Sequence, residues 1–316
     1  RRQRQMCIRD RWGGINPKNV DKLPELNELG CVGYKGFMCF ATEEYPQITD
    51  GYLVEGMKLV KEFDGLIGVH AENAEVAAMG CDRFSQMGCQ DEAMFDEARP
   101  WWTEYEAIQR AVLFSKVTGA RLEVCHTTIP QGMQFLKQAK SEGVHVYVES
   151  CPHYLIFDKT ILREKKSFAK CTPPFRSREY VDKLWDYVLD GTVDVLGSDH
   201  GPFTDEEKVQ QGDFWKEFCG FGCFDATLAA MITEGRSTRF QRLNNIQPRS
   251  DNIVLILGQA KQWQYTVDAP NIARNILRTT TNDYITGMNV GIYKPRHNSL
   301  SGSIDTVSYT HLTLPT

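Results

Sequence analysis

The chain has 316 residues, a length that fits one large α/β domain or two ordinary ones. Hydrophobic residues make up 41% of the sequence and charged residues 24%, which is ordinary for a globular protein with a sizeable core. The net charge of −5 gives no reason to expect nucleic acid or an anionic membrane as a partner, and no apolar run is long enough to cross a bilayer. The ten cysteines form no CxxC pairs, so we predict reduced thiols in a cytoplasmic protein.

Residues 1–11 and 306–316 match no periodic pattern in the sequence beside them. The first of these segments is basic but lacks the apolar stretch of a secretory signal. Both resemble translated adapter or read-through sequence. We therefore expect non-native tails at the two ends of a chain that is itself a fragment.

Between these tails, short apolar runs alternate with amphipathic stretches. The pattern predicts strands over 31–40, 65–70, 121–126, 144–150 and 192–200. It predicts helices over 51–63, 103–119, 130–143 and 177–191. This alternation indicates βαβ units and a parallel sheet covered on both faces. Residues 246–304 contain short β-like runs without helices between them, which predicts part of a small β domain.

An unusual lysine lies in the first of these predicted strands. Lys35 stands inside the apolar run "CVGYKGFMCF", although lysine is almost never fully buried unless its charge is compensated. Taken alone, it is explained by a side chain that reaches solvent from a strand end.

Polar residues also end three later strands. His70 ends "GVH", His126 ends "VCH", and Asp199 precedes His200 in "SDH". Each has an ordinary structural explanation, as a hydrogen-bonded imidazole or a helix cap. However, the carboxyl ends of the strands in a parallel α/β sheet or barrel face one side, where ligands bind. The shared position of these residues and Lys35 therefore favours one joint site.

The residue types at these strand ends indicate metal chemistry. Imidazoles and a carboxylate suit a zinc-like divalent cation with an open position for water. A protonated lysine would repel that cation, whereas a lysine that has reacted with carbon dioxide is an anion whose two oxygens can bridge two cations. Two such cations can hold a hydroxide and polarise a carbonyl, which favours hydrolysis near neutral pH. Glu72 and Asn73 follow His70 and either support it or cap the next helix.

Seven motifs across residues 29–235 together resemble the cyclic amidohydrolases, in the order of that family. They are "GCVGYKGFM", "GVHAENAEV", "ARPWWTEYEAIQRA", "RLEVCHTT", "VESCPHYL", "AKCTPPFR" and "VLGSDHGP". The resemblance implies an α/β fold with a partial TIM (β/α)8 barrel, about its last five βα units, over residues 12–235. It also implies part of a C-terminal β-sandwich over 246–304.

The resemblance further implies a site. Lys35 would be the carboxylated lysine between two Zn²⁺ ions, His70 and His126 would bind the second metal, and Asp199 would bind the first metal and shuttle the proton. Thr172, Cys219 and Gly220 would hold the substrate. The family resemblance also implies a homo-oligomer, a tetramer.

The expected reaction is hydrolysis of a cyclic amide C–N bond. Within the family the sequences of these motifs most resemble those of the allantoinases, which convert allantoin to allantoate, with dihydropyrimidinases and hydantoinases next. A non-enzymatic member of the superfamily is a further alternative. So is a plain α/β binding module whose strand-end histidines are structural.

One feature of the family pattern is missing. The family carries a His-x-His pair on its first barrel strand, but the seven histidines here include no such pair. With Lys35 on the fourth strand, the first three βα units would also be missing. We therefore expect this chain to bind metal poorly and to have little or no activity.

Overall fold

The computed structural model describes residues 11–43, 45–201, 203–209 and 212–222, together with 227, 230, 231, 234, 235, 312 and 313. The strands of its sheet lie side by side in the order in which they follow along the chain, and the first six strands pair in parallel. The strands are β1 Arg11–Gly14, β2 Cys31–Phe37, β3 Leu66–His70, β4 Arg121–Val124, β5 Val146–Ser150, β6 Val195–Leu196 and β7 Leu312–Thr313. The parallel strands curl into a half-barrel with helices, which confirms the partial TIM barrel.

Helices connect these strands. They are α1 Leu23–Glu28, α2 Asp50–Glu62, α3 Ala74–Gln86, α4 Phe95–Ala98, α5 Trp101–Thr118, α6 Pro130–Ser141, α7 Pro152–Ile156, α8 Ile161–Lys165, α9 Arg178–Leu189 and α10 Asp205–Lys208. Short 3-10 turns cover Val20–Lys22, Glu92–Met94 and Lys166–Ala169. None of the helices within the described ranges is both long and apolar enough to cross a membrane.

The core lies between the sheet and these helices, because each element has one apolar face. Helix α2 buries Leu53, Met57 and Val60, which recur at the three- and four-residue spacing of one helical face. Strand β3 is buried almost throughout, with Ile67 and Val69 fully enclosed. Strands that are apolar on both faces are typical of parallel sheets covered by helices, as the sequence predicts.

The structure has one more parallel strand than the sequence analysis counts. Strand β1 consists of only four residues, "RWGG", and its two glycines give no apolar run for periodicity to detect. Its Trp12 packs over Gly33 and Gly68, where an added Cβ would come within 2.9 Å and 2.6 Å of the indole ring. Among the described residues, one parallel strand therefore precedes the strand that carries Lys35.

Several sequence predictions fall partly or wholly outside the described residues. The predicted β-sandwich segment, 246–304, lies outside them, and so does most of each predicted tail. The exceptions are Arg11, which begins β1, and residues 312–313, which form β7 and pair antiparallel with β6. Strand β6 is shorter than the predicted 192–200, because the chain leaves the sheet before Asp199.

Candidate metal centre

The carboxyl ends of neighbouring strands bring Lys35, His70 and His126 together. Parallel pairing of β2 with β3 places Lys35 opposite Gly68 and Phe37 opposite His70. Nζ of Lys35 lies 3.2 Å from Nε2 of His126, and the His70 and His126 rings lie 4.7 Å apart. All three residues are buried, and Lys35 is only 4% exposed. This burial excludes the explanation in which the lysine reaches solvent.

Asp199 approaches the same site from the turn that follows β6. Burial raises the pKa of its carboxyl, while the positive charges of Lys35 and His70 act in the opposite direction. The carboxyl is therefore within electrostatic range of both side chains. The structure thus collects the four predicted ligands at one edge of the sheet, although their roles stay predictions.

Two of these residues sit on strained backbone. His126 has φ +40° and Asp199 has φ +43°, in the left-handed region that residues other than glycine rarely adopt. Such conformations cost about 1–3 kcal/mol each and cluster at functional sites. The chain therefore turns sharply at each of these two residues, shortly after the end of its strand.

Glu72 supports His70 from behind. Its Oε2 lies 2.7 Å from Nε2 of His70, and the Arg99 guanidinium donates to both carboxylate oxygens, from Nε at 3.0 Å and Nη2 at 2.6 Å. Asn73 instead caps α3, since its side chain accepts the Val76 N–H. Of the two roles that the sequence left open, Glu72 therefore supports His70, and Asn73 caps the next helix.

The surroundings of the two imidazoles shift their pKa values in opposite directions. Burial alone would lower the pKa of His70, but Cys39 and Glu72 together raise it to about 10. Burial, Lys35 and His70 hold the pKa of His126 well below its usual range. His126 is therefore neutral near pH 7, the form in which imidazole binds metal.

Two buried carboxylates next to this site were not predicted from the sequence. Glu149 on β5 is fully buried, and its Oε1 accepts the backbone N–H of His126 at 3.1 Å. Glu123 on β4 is also buried, and burial raises the pKa of its carboxyl. The signal was available, because both are charged residues inside apolar strands, as Lys35 is. Glu149 supports the strained turn that carries His126.

The predicted substrate-binding residues come from two segments that the structure joins. Thr172 follows Lys170 by two positions, and the backbone N–H of Gly220 donates to the carbonyl of Lys170 at 2.8 Å. Cys219 and Gly220 are half-buried, as is Thr172. The segment continues to Phe221, whose carbonyl accepts the Gly201 N–H at 3.1 Å. Both segments therefore lie near the Asp199 turn.

The side chains at this edge fit a divalent metal on one condition. Nδ1 of His126 is buried and has no hydrogen-bond partner among the residues described, while Nε2 faces Lys35. Two imidazoles and the Asp199 carboxylate are suitable ligands, but an ammonium at Lys35 is not. That condition is that Lys35 is carboxylated and that His70, whose pKa is raised to about 10, gives up its proton to bind the metal. Two other groups of closely spaced ligand atoms adjoin it, Cys39 with His70 and Glu72, and Glu123 with Cys125 and Glu149.

Sequence comparison finds similarity to allantoinases. The chain is 34% identical to the allantoinase of Deinococcus radiodurans over 229 residues, which are 72% of this chain and 51% of that protein. It is 34% identical to the allantoinase of Solibacter usitatus over 236 residues, 74% of this chain and 51% of the relative. For Escherichia coli K12 allantoinase the identity is 32% over 236 residues, 72% and 51% of the two chains. The chain thus spans about half the length of the curated relatives it matches.

Comparison with solved structures finds similarity to hydantoinases. The fold matches L-hydantoinase (dihydropyrimidinase) from Arthrobacter aurescens with a TM-score of 0.69 and 33% identity, over 72% of this chain and 51% of that one. It matches D-hydantoinase from Bacillus sp. AR9 with a TM-score of 0.65 and 27% identity, over 72% and 51% of the two chains. No protein-family model matches the sequence.

Proposed function

Since the chain belongs to the cyclic amidohydrolase superfamily, we propose that it carries part of the active site of an enzyme that hydrolyses a cyclic amide C–N bond. The observation that supports this most directly is the buried approach of Lys35 to His126, 3.2 Å between Nζ and Nε2, at the carboxyl ends of adjacent strands. A plain binding module with structural histidines has no need of a lysine in that position.

In this proposal each residue of the centre has a role. Lys35, once carboxylated, would hold two divalent cations, in the proposal Zn²⁺, together with His70 and His126 as ligands of one cation and Asp199 as a ligand of the other. A divalent metal bound there would polarise the substrate carbonyl and lower the pKa of bound water. The Asp199 carboxylate takes the proton of the attacking water and returns it to the leaving amide nitrogen.

The substrate proposed first is allantoin, opened to allantoate, because the similar sequences are allantoinases. Dihydropyrimidinase or hydantoinase activity is the second candidate, favoured by the similarity to the L-hydantoinase structure. Ring-opening rates on allantoin, dihydrouracil and hydantoin separate the two. A clear preference for dihydrouracil or hydantoin would reject allantoin.

A non-enzymatic relative is the competing proposal, and metal analysis distinguishes it. The protein that contains this chain, with any sequence that extends it, should bind at least one divalent cation per chain. Less than one equivalent would favour the non-enzymatic alternative. Expressed by itself, the 316-residue chain has no His-x-His pair, so we expect weak metal binding and little turnover from these residues alone.

The cellular setting and assembly are also proposals. The eight cysteines within the described part of the chain are reduced thiols that form no disulfide with one another, which supports a reducing compartment such as the cytoplasm. A homo-tetramer remains the expectation from the family, and light scattering on the purified protein tests it.

A further inference from the structure

Two buried lysines outside the candidate metal centre contact backbone carbonyls. Lys170 is 3% exposed and Lys208 is 4% exposed, so both ammonium groups lie inside the protein. Within the described residues their hydrogen bonds run to carbonyl oxygens rather than to a carboxylate. Burying an ammonium is costly unless its donors are satisfied, so this arrangement calls for a reason.

Lys170 closes the turn at residues 214–217. Its Nζ donates to the carbonyls of Phe214 at 2.7 Å, Trp215 at 3.1 Å and Glu217 at 2.6 Å. The ammonium also lies 5.3 Å from the centroid of the Phe95 ring and 5.1 Å from that of Phe214. Three carbonyls match the three donors of an ammonium group, which the planar fork of arginine does not.

Lys208 joins that segment to the chain that precedes Thr172. Its Nζ donates to the carbonyls of Lys170 at 3.2 Å, Phe218 at 2.8 Å and Gly220 at 2.9 Å. The Lys170 carbonyl also accepts the Gly220 N–H at 2.8 Å. The two lysines therefore fasten residues 170–172 and 214–220 to each other.

This fastened pair of segments lies beside the Asp199 turn. His200 and Phe221 form a parallel bridge, and the Phe221 ring lies 5.1 Å from that of His153. A Cβ on Gly201 would come within 2.7 Å of the Gly220 Cα, so the two backbones touch. A displacement of residues 218–220 would therefore reach the segment that carries Asp199.

We propose that Lys170 and Lys208 are positioning residues, which fix the edge formed by Thr172, Cys219 and Gly220 for hydrogen bonding to a cyclic amide. The inference rests on the proposed function, because it takes that edge as the one that faces the substrate. The lysines themselves act through the backbone carbonyls that they hold. Their loss should weaken substrate binding more than it slows the chemical step.

The test compares Lys170→Met and Lys208→Met with Lys140→Met. Methionine keeps most of the side-chain volume but offers no donor. Lys140 is the control, because its Nζ also donates to a carbonyl, that of Thr192 at 2.8 Å, but at the opposite end of β6, where it also pairs with the Asp194 carboxylate. The readouts, taken on the protein that contains this chain with any sequence that extends it, are the KM and kcat of ring opening, the bound metal, and the alkylation rate of Cys219 by peptide mass spectrometry.

Lys170→Met and Lys208→Met should each raise KM about 10-fold, keep kcat within about 3-fold and leave the bound metal unchanged. Cys219, a half-buried thiol on the fastened segment, should be alkylated faster in both variants and not in Lys140→Met. If Lys170→Met does not fold, Lys208→Met and Lys170→Arg carry the comparison. Unchanged KM in folded variants overturns the inference.

The outcome also separates this inference from the proposed function. If the unsubstituted protein that contains this chain, with any sequence that extends it, opens no cyclic amide ring, the proposed function is rejected. Faster Cys219 alkylation in Lys170→Met and Lys208→Met would then still support the role of the two lysines in holding residues 218–220 in place. If Cys219 is alkylated just as fast in Lys140→Met, the positioning role of Lys170 and Lys208 is rejected, whatever the ring-opening activity.

Discussion

The ammonium nitrogen of Lys35 lies 3.2 Å from Nε2 of His126, although the two residues are 91 positions apart in the chain. Burial and the nearby positive charge keep His126 neutral, so the lysine can donate a hydrogen bond to its ring nitrogen. An amine held this way beside a second imidazole, His70, is poorly explained by packing alone. It is explained if the amine becomes an anionic metal ligand.

The first prediction concerns Lys35. In the protein that contains this chain with any sequence that extends it, replacing Lys35 with Met should lower bound metal below one equivalent per chain and abolish ring opening, because no bridging carbamate can form. Lys58→Met is the control, since the side chain of Lys58 is 61% exposed. Metal analysis and NMR with isotope-labelled bicarbonate follow the change, and the labelled carbamate signal should be absent from Lys35→Met only. Full metal content in that variant would contradict the bridging role.

The second prediction concerns Glu72. Glu72→Gln should reduce metal affinity by about 10–100-fold, because the carboxylate that orients a metal-binding imidazole is replaced by a neutral amide. It also leaves the buried Arg99 guanidinium without its ion pair, so the free energy of unfolding should fall by about 3–5 kcal/mol. Glu75→Gln, at an exposed position on α3, should change neither quantity. Metal titration and chemical denaturation measure the two effects. An unchanged metal affinity would reduce Glu72 to a structural role.

The sequence predicted the elements that carry the candidate site well. The helices over 51–63 and 130–143 correspond to α2 and α6, and the strand over 65–70 corresponds to β3, because long amphipathic and short apolar patterns report burial directly. The strand ends followed from the same patterns. Parallel topology then placed Lys35 and the histidines at one edge.

What the sequence did not predict depends on contacts between distant segments. Strand β1 is short and half glycine, so only its pairing with β2 makes it a strand. The contacts of Lys170 run to backbone carbonyls 44–47 residues away, which leave no pattern in residue types. The role of Glu149 likewise depends on the position of the His126 N–H, which only the fold determines.

The third prediction concerns Gly197. A Cβ at this position would lie 2.6 Å from Oε1 of Glu149, and that carboxylate supports the His126 turn. Gly197→Ala should therefore lower the free energy of unfolding by about 1–3 kcal/mol through overpacking. It should also lower metal affinity, since Asp199 follows two residues later. Gly51→Ala is the control, because the structure leaves its Cβ open space. Wild-type stability in Gly197→Ala would mean that Glu149 moves freely.

The fourth prediction concerns the pH dependence of stability and His153. Burial lowers the pKa of His153 to about 3, against an ordinary value of 6.5 for the unfolded chain. Below pH 6.5 the unfolded chain therefore binds a proton that the folded chain does not, and stability falls as the pH falls towards 3. Each pH unit within that range costs about 1.4 kcal/mol for this one group.

Replacing His153 with Phe removes that proton and should flatten the pH dependence. The ring packs 4.2 Å from Tyr154 and 5.8 Å from Phe175, centroid to centroid, so an aromatic replacement suits the site. At pH 5 the variant should lose about 2 kcal/mol less stability, relative to pH 7, than the unsubstituted chain. His145→Asn, at an exposed position, should keep the original slope. Urea denaturation at pH 5, 6 and 7 measures the difference. Parallel stability curves for His153→Phe and the unsubstituted chain would show that His153 is not a source of the acid sensitivity, because its proton would then be bound equally in both states.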